Sequence, residues 1–189
     1  MRLAIIGSGN IGGTVGKKWA TAGHEVVYGL RDPSKHAGAQ TINRALGSAE
    51  AVLLAVPGAA VVDVVREHAR EIDGKIILDA TNNFRAPKPH SWPELMNLVP
   101  LAQLYRAFNT LGWDVFANPV LSGVQPDLFY CGPEGRGRDV VERLISDAGL
   151  RPVCVGGVDQ VDTVDGVLRL WYELSRIKGR RIAFKLLSD

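Results

Sequence analysis

The chain has 189 residues, 46% of them hydrophobic and 22% charged, enough for one good core with a small appendage. Its 22 Lys and Arg against 20 Asp and Glu leave a formal charge of +2, which gives no global pull towards nucleic acid or an anionic membrane. Cys131 and Cys154 lie in apolar stretches without C-x-x-C or metal-ligand spacing, and the sequence offers neither a signal-peptide core nor a bilayer-length apolar run, so a cytoplasmic setting is expected.

The apolar run at residues 3–6 predicts a first strand, followed at once by Gly7-Ser8-Gly9-Asn10-Ile11-Gly12. Ile11, Val15 and Trp19 then recur every four positions, as on one face of a helix. This G-x-G-x-x-G therefore stands between strand and helix, the context in which it binds a dinucleotide. Gly7 allows the sharp turn, Gly9 lets the backbone approach a pyrophosphate, and Gly12 lets helix and strand pack closely. After a stop at Gly23, residues 25–28 read as a second strand. The twenty residues from Arg31 to Glu50 leave room for an abbreviated helix at 41–46 but not for an additional strand. The continuous apolar run 51–56 reads as a buried parallel strand ending at Pro57-Gly58, and Val61, Val62, Val65 and His68 carry on with helical spacing. Residues 75–79 give a fourth strand. Four prolines between 82 and 100 limit regular structure there to a short helix at 92–98. Strands at 101–107, 128–131 and 152–155 follow, with a helix marked by Val140, Val141, Leu144 and Ile145. A long helical pattern carries Val164, Leu168, Trp171, Leu174 and Ile177 on one face before a break at Gly179. The alternation predicts an α/β, doubly wound parallel sheet, a Rossmann fold. Residues 1–157 would form the nucleotide-binding domain, and 158–189 a small C-terminal helical appendage of the same compact unit.

In a NAD-binding unit an acidic residue about twenty positions after the glycines holds the ribose hydroxyls. Here Gly29 or Leu30 stands in that place, and Arg31 and Lys35 follow. Two cations four residues apart suit a 2′-phosphate, with the Arg31 fork able to bind two oxygens, so NADP is favoured. Asp32 would turn away and cap the turn before Pro33.

With these residues the sequence resembles the NADPH-dependent reductases of the deazaflavin coenzyme F420, and is similar to the oxidoreductase part of the six-transmembrane ferric reductases. The resemblance covers nearly the whole chain. It rests on Ile6 to Gly12, Gly23-His24-Glu25-Val26-Val27, Arg31-Asp32-Pro33-Ser34-Lys35 and Ala55-Val56-Pro57, then on Asp79-Ala80-Thr81-Asn82, Ala107-Phe108-Asn109-Thr110-Leu111-Gly112 and Arg181-Ile182-Ala183-Phe184-Lys185-Leu186. It implies that Ser8 to Ile11 bind the pyrophosphate and that Arg31 and Lys35 bind the 2′-phosphate. Ala55, Val56 and Pro57 would border the adenosine and ribose, while Asn82, Asn109 and Thr110 would lie near the nicotinamide. The chain departs from the family at Leu30, where Ser is usual, at Asn83, where Pro is usual, and in its shorter second crossover.

Hydride transfer between two flat rings needs stacking and water exclusion more than a proton donor. No acid–base, nucleophilic or metal-ligand constellation stands out, and His24, His36, His68 and His90 read as structural or solvated. Trp113 and Trp92 are either stacking surfaces for a second ring or closers of the core. The expected acceptor pocket lies where Asn82, Asn109, Thr110 and Trp113 meet the C-terminal tail. Arg176, Lys178, Arg180, Arg181 and Lys185 would either attract the polyanionic tail of F420 or be solvated helix-end charges. The face with Leu168, Trp171 and Leu174 would pair two copies as a homodimer or pack on the chain's own sheet. Two functions stay open: an oxidoreductase passing hydride between NADP(H) and a deazaflavin or related flavin-like acceptor, with a soluble flavin or ferric reductase as its variant, or a non-catalytic NADP-binding or sensing module.

Overall fold

Leu3, Ala4, Ile5 and Ile6 are all buried in β1 (Arg2–Ile6), because a central parallel strand is covered on both faces. The computed structural model describes residues 1–188. After β1 come α1 (Asn10–Thr21), β2 (Glu25–Leu30), β3 (Gln40–Thr41), α2 (Ile42–Gly47), β4 (Ala51–Leu54), α3 (Val61–Glu67), α4 (Ala69–Ile72) and β5 (Ile76–Asp79). The second half holds α5 (Trp92–Leu98), β6 (Gln103–Arg106), α6 (Trp113–Ala117), β7 (Asp127–Tyr130), α7 (Arg136–Asp147), β8 (Arg151–Cys154) and α8 (Val161–Lys178).

Six parallel strands pair in the order β3-β2-β1-β4-β5-β6, so the chain reverses direction across the sheet between β1 and β4. That reversal opens the crevice in which open α/β sheets bind ligands. Alternate residues of β1 feed two cores. Leu3 and Ile5 join Trp19 of α1, Phe116 of α6 and Leu144 of α7, whereas Ala4 and Ile6 join Leu46 of α2, Val65 of α3 and Leu95 of α5. Helix α8 contributes Val164 to the second core and Trp171 to the first. It thus passes from one layer to the other, and its middle turn runs by the ends of the strands.

Three readings of the sequence need correction. An additional strand does exist between β2 and β4: Gln40 and Thr41 pair with Gly29 and Leu30. It fits because it is two residues long and the following helix only six. The helical pattern after Pro57-Gly58 breaks at His68, which closes α3 before α4 begins. Finally, β7 and β8 pair parallel with each other and, among the described residues, meet β6 only through one antiparallel bridge, Arg106 with Cys131.

Beyond α8 the chain runs back along β7 without regular structure. The Asp127 amide donates to the Phe184 carbonyl at 3.0 Å. The buried Asp127 carboxylate accepts from Arg151 at 2.6 and 2.7 Å, from Lys185 at 3.0 Å and from the Leu186 amide at 2.6 Å. Burial alone would raise this carboxyl, but those bonds outweigh it and hold it at about 2, below the ordinary 3.8. A depressed carboxylate contributes stability that is present above the ordinary value and lost as pH falls through the folded one. Asp127→Asn should therefore cost about 3 kcal/mol at neutral pH. The gap to wild type should close between pH 4 and 2 in urea melts, and an undiminished gap would mean that the carboxylate charge is not what holds the tail.

Candidate functional site

Gly7 sits at φ +107°, and a Cβ there would lie 2.5 Å from the Ala55 carbonyl oxygen. A Cβ on Gly12 would lie 2.1 Å from the Gly7 carbonyl oxygen. Both glycines hold β1, β4 and α1 in close contact. A Cβ on Gly9 would face open space instead, so the chain itself makes no demand for glycine there. No side chain caps α1 at Gly9 and no acidic residue stands in its first turn. Its free N–H donors, with Ser8, Asn10 and Ile11 around them, suit an anion such as a pyrophosphate.

From this turn a cleft of about 160 Å³ runs across the tip of β2, lined among others by Gly7, Gly29, Leu30, Arg31, Val56 and Pro57. A Cβ on Gly29 would approach Ile6 at 2.8 Å and Ala45 at 3.1 Å, which excludes a carboxylate at that position. Arg31 reaches the cleft. Lys35 does not line it: its ammonium is exposed and stands 3.7 Å from Asp32. Asp32 caps the tight turn Pro33–Lys35, as expected, by accepting from the Ser34 amide at 3.2 Å and hydroxyl at 2.6 Å. Those bonds hold its carboxyl below the ordinary range.

Across the reversal the strand ends bring Asn82, Asn109 and Thr110 together. A Cβ on Gly58 would lie 2.5 Å from the Asn82 carbonyl carbon, so the loop after β4, which carries Ala55, Val56 and Pro57, touches this group. Asn82 donates to the Asn109 carbonyl at 2.9 Å. Asn109 follows Phe108, a non-glycine residue at φ +62°, a conformation that costs about 1–3 kcal/mol. Edge-to-face packing of Phe108 on Trp19 and Phe116 holds it there.

Beneath these residues lies a charged cluster that the sequence reading missed. Arg106 is fully buried and donates to Asp79 at 2.9 Å, to Asp165 at 3.0 Å, to the Thr81 carbonyl at 2.5 Å and to Asn82 Oδ1 at 2.9 Å. Asn109 donates to Asp165 at 2.9 Å. Signals for the cluster were present. Asp79 and Arg106 close apolar strands with a lone charge each, and Asp165 interrupts the apolar stripe of α8 between Val161, Val164 and Leu168.

Other expectations separate. Trp92 is buried in the core beside Leu95 and so is no stacking surface, whereas Trp113, which opens α6, is 38% exposed. His24 binds Asp147 at 2.9 Å, His90 binds Asp162 at 3.2 Å and accepts from the Trp92 amide, and His36 packs on Tyr28. The cationic tail is largely engaged by the chain itself. Lys185 serves Asp127, Arg181 donates to the Val120 carbonyl at 3.2 Å, and Arg180 lies over the Trp171 ring. Leu168 and Trp171 are buried against the chain's own core, which removes the argument for a homodimer through that face. Among the described residues, no helix is long and apolar enough to cross a membrane.

Residues 2–83, from β1 to just past Asn82, match the sequence model of the coenzyme F420-dependent NADP oxidoreductases. The matched segment is less than half of the chain and takes in the glycine turn and the loop after β4. The chain also resembles metalloreductase STEAP3 of Rattus norvegicus, at 27% identity over 89% of this chain. The chain spans only 37% of that relative's length. A structure described as a candidate F420-dependent NADP-reductase from Arthrobacter sp. FB24 shares the fold with a TM-score of 0.85 over the whole of both chains, at 21% identity. The hypothetical protein SMa0349 of Sinorhizobium meliloti aligns with a TM-score of 0.70 at 30% identity, covering 84% of this chain and 86% of its own.

Proposed function

We propose that this chain is an NADP-dependent oxidoreductase that passes hydride between NADP(H) and a deazaflavin, coenzyme F420, or a related flavin-like acceptor. The observation that carries the nucleotide half is the uncapped start of α1 beside the open space at Gly9, continued by a cleft that ends at Arg31. In this reading Gly7, Ser8, Gly9, Asn10, Ile11 and Gly12 hold the pyrophosphate. Ala55, Val56 and Pro57 line the ribose and Asn82 the nicotinamide side, while Asn109, Thr110 and Trp113 border the acceptor. NADPH supplies the hydride when bound. The protein's part is to orient the ring and exclude water, and a floor of buried Arg106 and Asn109 with half-buried Asn82 suits both tasks. The acceptor half draws on the family and on the exposed Trp113 face.

Arg31→Ala separates the 2′-phosphate reading from a structural one. Charged hydrogen bonds contribute about 1.5–3 kcal/mol each, so NADPH affinity should fall about tenfold to a hundredfold while NADH changes little. Equal loss for both nucleotides would sink NADP preference through Arg31. Because Lys35 is paired with Asp32, Lys35→Ala should have the smaller effect unless the lysine swings over to the phosphate. For the acceptor, NADPH oxidation is followed with F420, FMN, FAD, quinones and ferric chelates. Turnover with F420 supports the reading, turnover confined to ferric chelates or flavins moves it to that variant, and no turnover with intact NADPH binding leaves a binding or sensing module. The same proposal includes a cytoplasmic homodimer. Its apolar contact would now fall on Leu170, Tyr172 and Ile177, which α8 leaves exposed, and a monomer by light scattering would remove it.

A further inference from the structure

The cluster under the nicotinamide end does not balance in charge. Asp79, Asp165 and Arg106 are all buried, with two carboxylates against one guanidinium. Asp79 is satisfied on both oxygens, by the Thr81 amide and hydroxyl at 3.0 and 2.7 Å and by Arg106. Asp165 is not. Its Oδ1 accepts from Arg106 and Asn109, while Oδ2 is buried without a partner among the described residues. The Oδ1 of Asn109, equally buried, also lacks a donor. Two acceptor oxygens of one cluster thus stand unmet where the chain carries one surplus negative charge. Arg106 cannot meet them, since its guanidinium is spread over Asp79, Thr81, Asn82 and Asp165.

NADP+ and NADPH share the same adenosine, phosphates and riboses and differ in the ring, which is cationic when oxidised and neutral when reduced. We propose that the buried Arg106–Asp165 cluster makes this site favour the oxidised ring over the reduced one, with Asp165 as the specificity-determining residue acting through Asn109. The inference rests on the nucleotide reading above. Asn109 links the two ends, for its amide donates to Asp165 while its backbone carbonyl accepts from Asn82 at the mouth of the crevice. A charge so buried is little screened by salt, so its preference for a cation persists at physiological ionic strength.

The groups facing Asp165 are Arg106 on β6, Asp79 on β5, His90 in the loop before α5 and Cys131 beyond β7. Burial pushes the Cys131 thiol up to about 12, which keeps it neutral. Burial also pushes the Asp165 carboxyl above its ordinary range, with Arg106 opposing. Acidification therefore protonates Asp165, cancels the surplus charge and lowers affinity for NADP+ relative to NADPH. Titration of the 2′-phosphate drops out of that ratio because both nucleotides carry it.

The experiment measures NADPH binding by its fluorescence and NADP+ binding by competition. Asp165→Asn keeps the shape and removes the charge. It should weaken NADP+ about tenfold and NADPH less than about twofold. Equal weakening of both would make Asp165 a fold support only, and no change in either would leave it without a role, each overturning the proposal. Wild type provides a second measurement that does not depend on the variant folding. Its NADP+ preference should decline as the pH is lowered from neutrality into the ordinary carboxylate range, and His90→Gln should retain the decline. A flat ratio, or a decline that His90→Gln abolishes, also overturns it. If wild type binds neither nucleotide the nucleotide reading falls and takes this inference with it, whereas binding with an unshifted ratio removes the inference alone.

Discussion

Arg106→Met should cost about 4 kcal/mol of folding stability, because removing one partner of a buried ion pair leaves its carboxylates uncompensated. Asp79 and Asp165 would then face each other across a site sealed from water, and Asn82 would lose the donor that fixes its amide. At about 2–4 °C per kcal/mol for a chain of this size, the melting temperature should drop by roughly 10 °C. Asp165→Asn in the same background should recover about 1–2 kcal/mol by withdrawing one stranded charge, a coupling that independent sites would not show. Calorimetry on the two variants checks both values. A loss under about 1 kcal/mol would mean that the cluster is neutralised by protonation and holds no ionised pair.

Gly12→Ala and Gly9→Ala should separate what packing needs from what the ligand needs. The methyl at residue 12 would meet the Gly7 carbonyl at 2.1 Å and Ile5 at 3.0 Å, so α1 must move away from β1. Overpacking of this kind costs about 1–3 kcal/mol. The displaced helix start should lose NADPH affinity by about a hundredfold or more, since it no longer meets the phosphates at hydrogen-bonding distance. The methyl at residue 9 meets nothing within 4 Å, so that variant should melt like wild type. It should still lose NADPH affinity, because the backbone approach that glycine permits is blocked. Denaturant melts and fluorescence titration on both variants check the pair. Unimpaired binding by Gly9→Ala would place the pyrophosphate elsewhere.

The parallel core and the glycine turn after β1 could be read from the chain because their signals are local. The apolar runs of β1, β4 and β5, the 3.6-residue period of α1 and the glycine spacing each fall within a few neighbours, and backbone sterics translate them directly. The short helix α5 was placed at residues 92–98 for the same reason, with Pro93 at its start and prolines on both sides. Strand β3 escaped because two residues carry no periodicity. Its pairing is decided by where the end of β2 happens to lie.

The site shows the same division. Gly7 and Arg31 follow from motif and spacing and Val56 and Pro57 from the family resemblance, and the cleft gathers all four. Asp79, Arg106 and Asp165 were visible only as charges at odd places in apolar segments. Their partnership spans 86 positions from Asp79 to Asp165 and arises because α8 crosses from one core to the other past the ends of β5 and β6. The fates of the tail cations and of the Leu168–Trp171 face were likewise settled by long-range packing, as Lys185 closed on Asp127 and Trp171 on the first core. What the sequence alone determined is the strands β1, β2, β4 and β5, the helices α1 and α5 and the glycine turn between β1 and α1, since each depends on the backbone preferences of adjacent residues. What only the tertiary structure decided is which charges meet in the dark of the core, because an ion pair depends on distance in space and leaves no period along the chain.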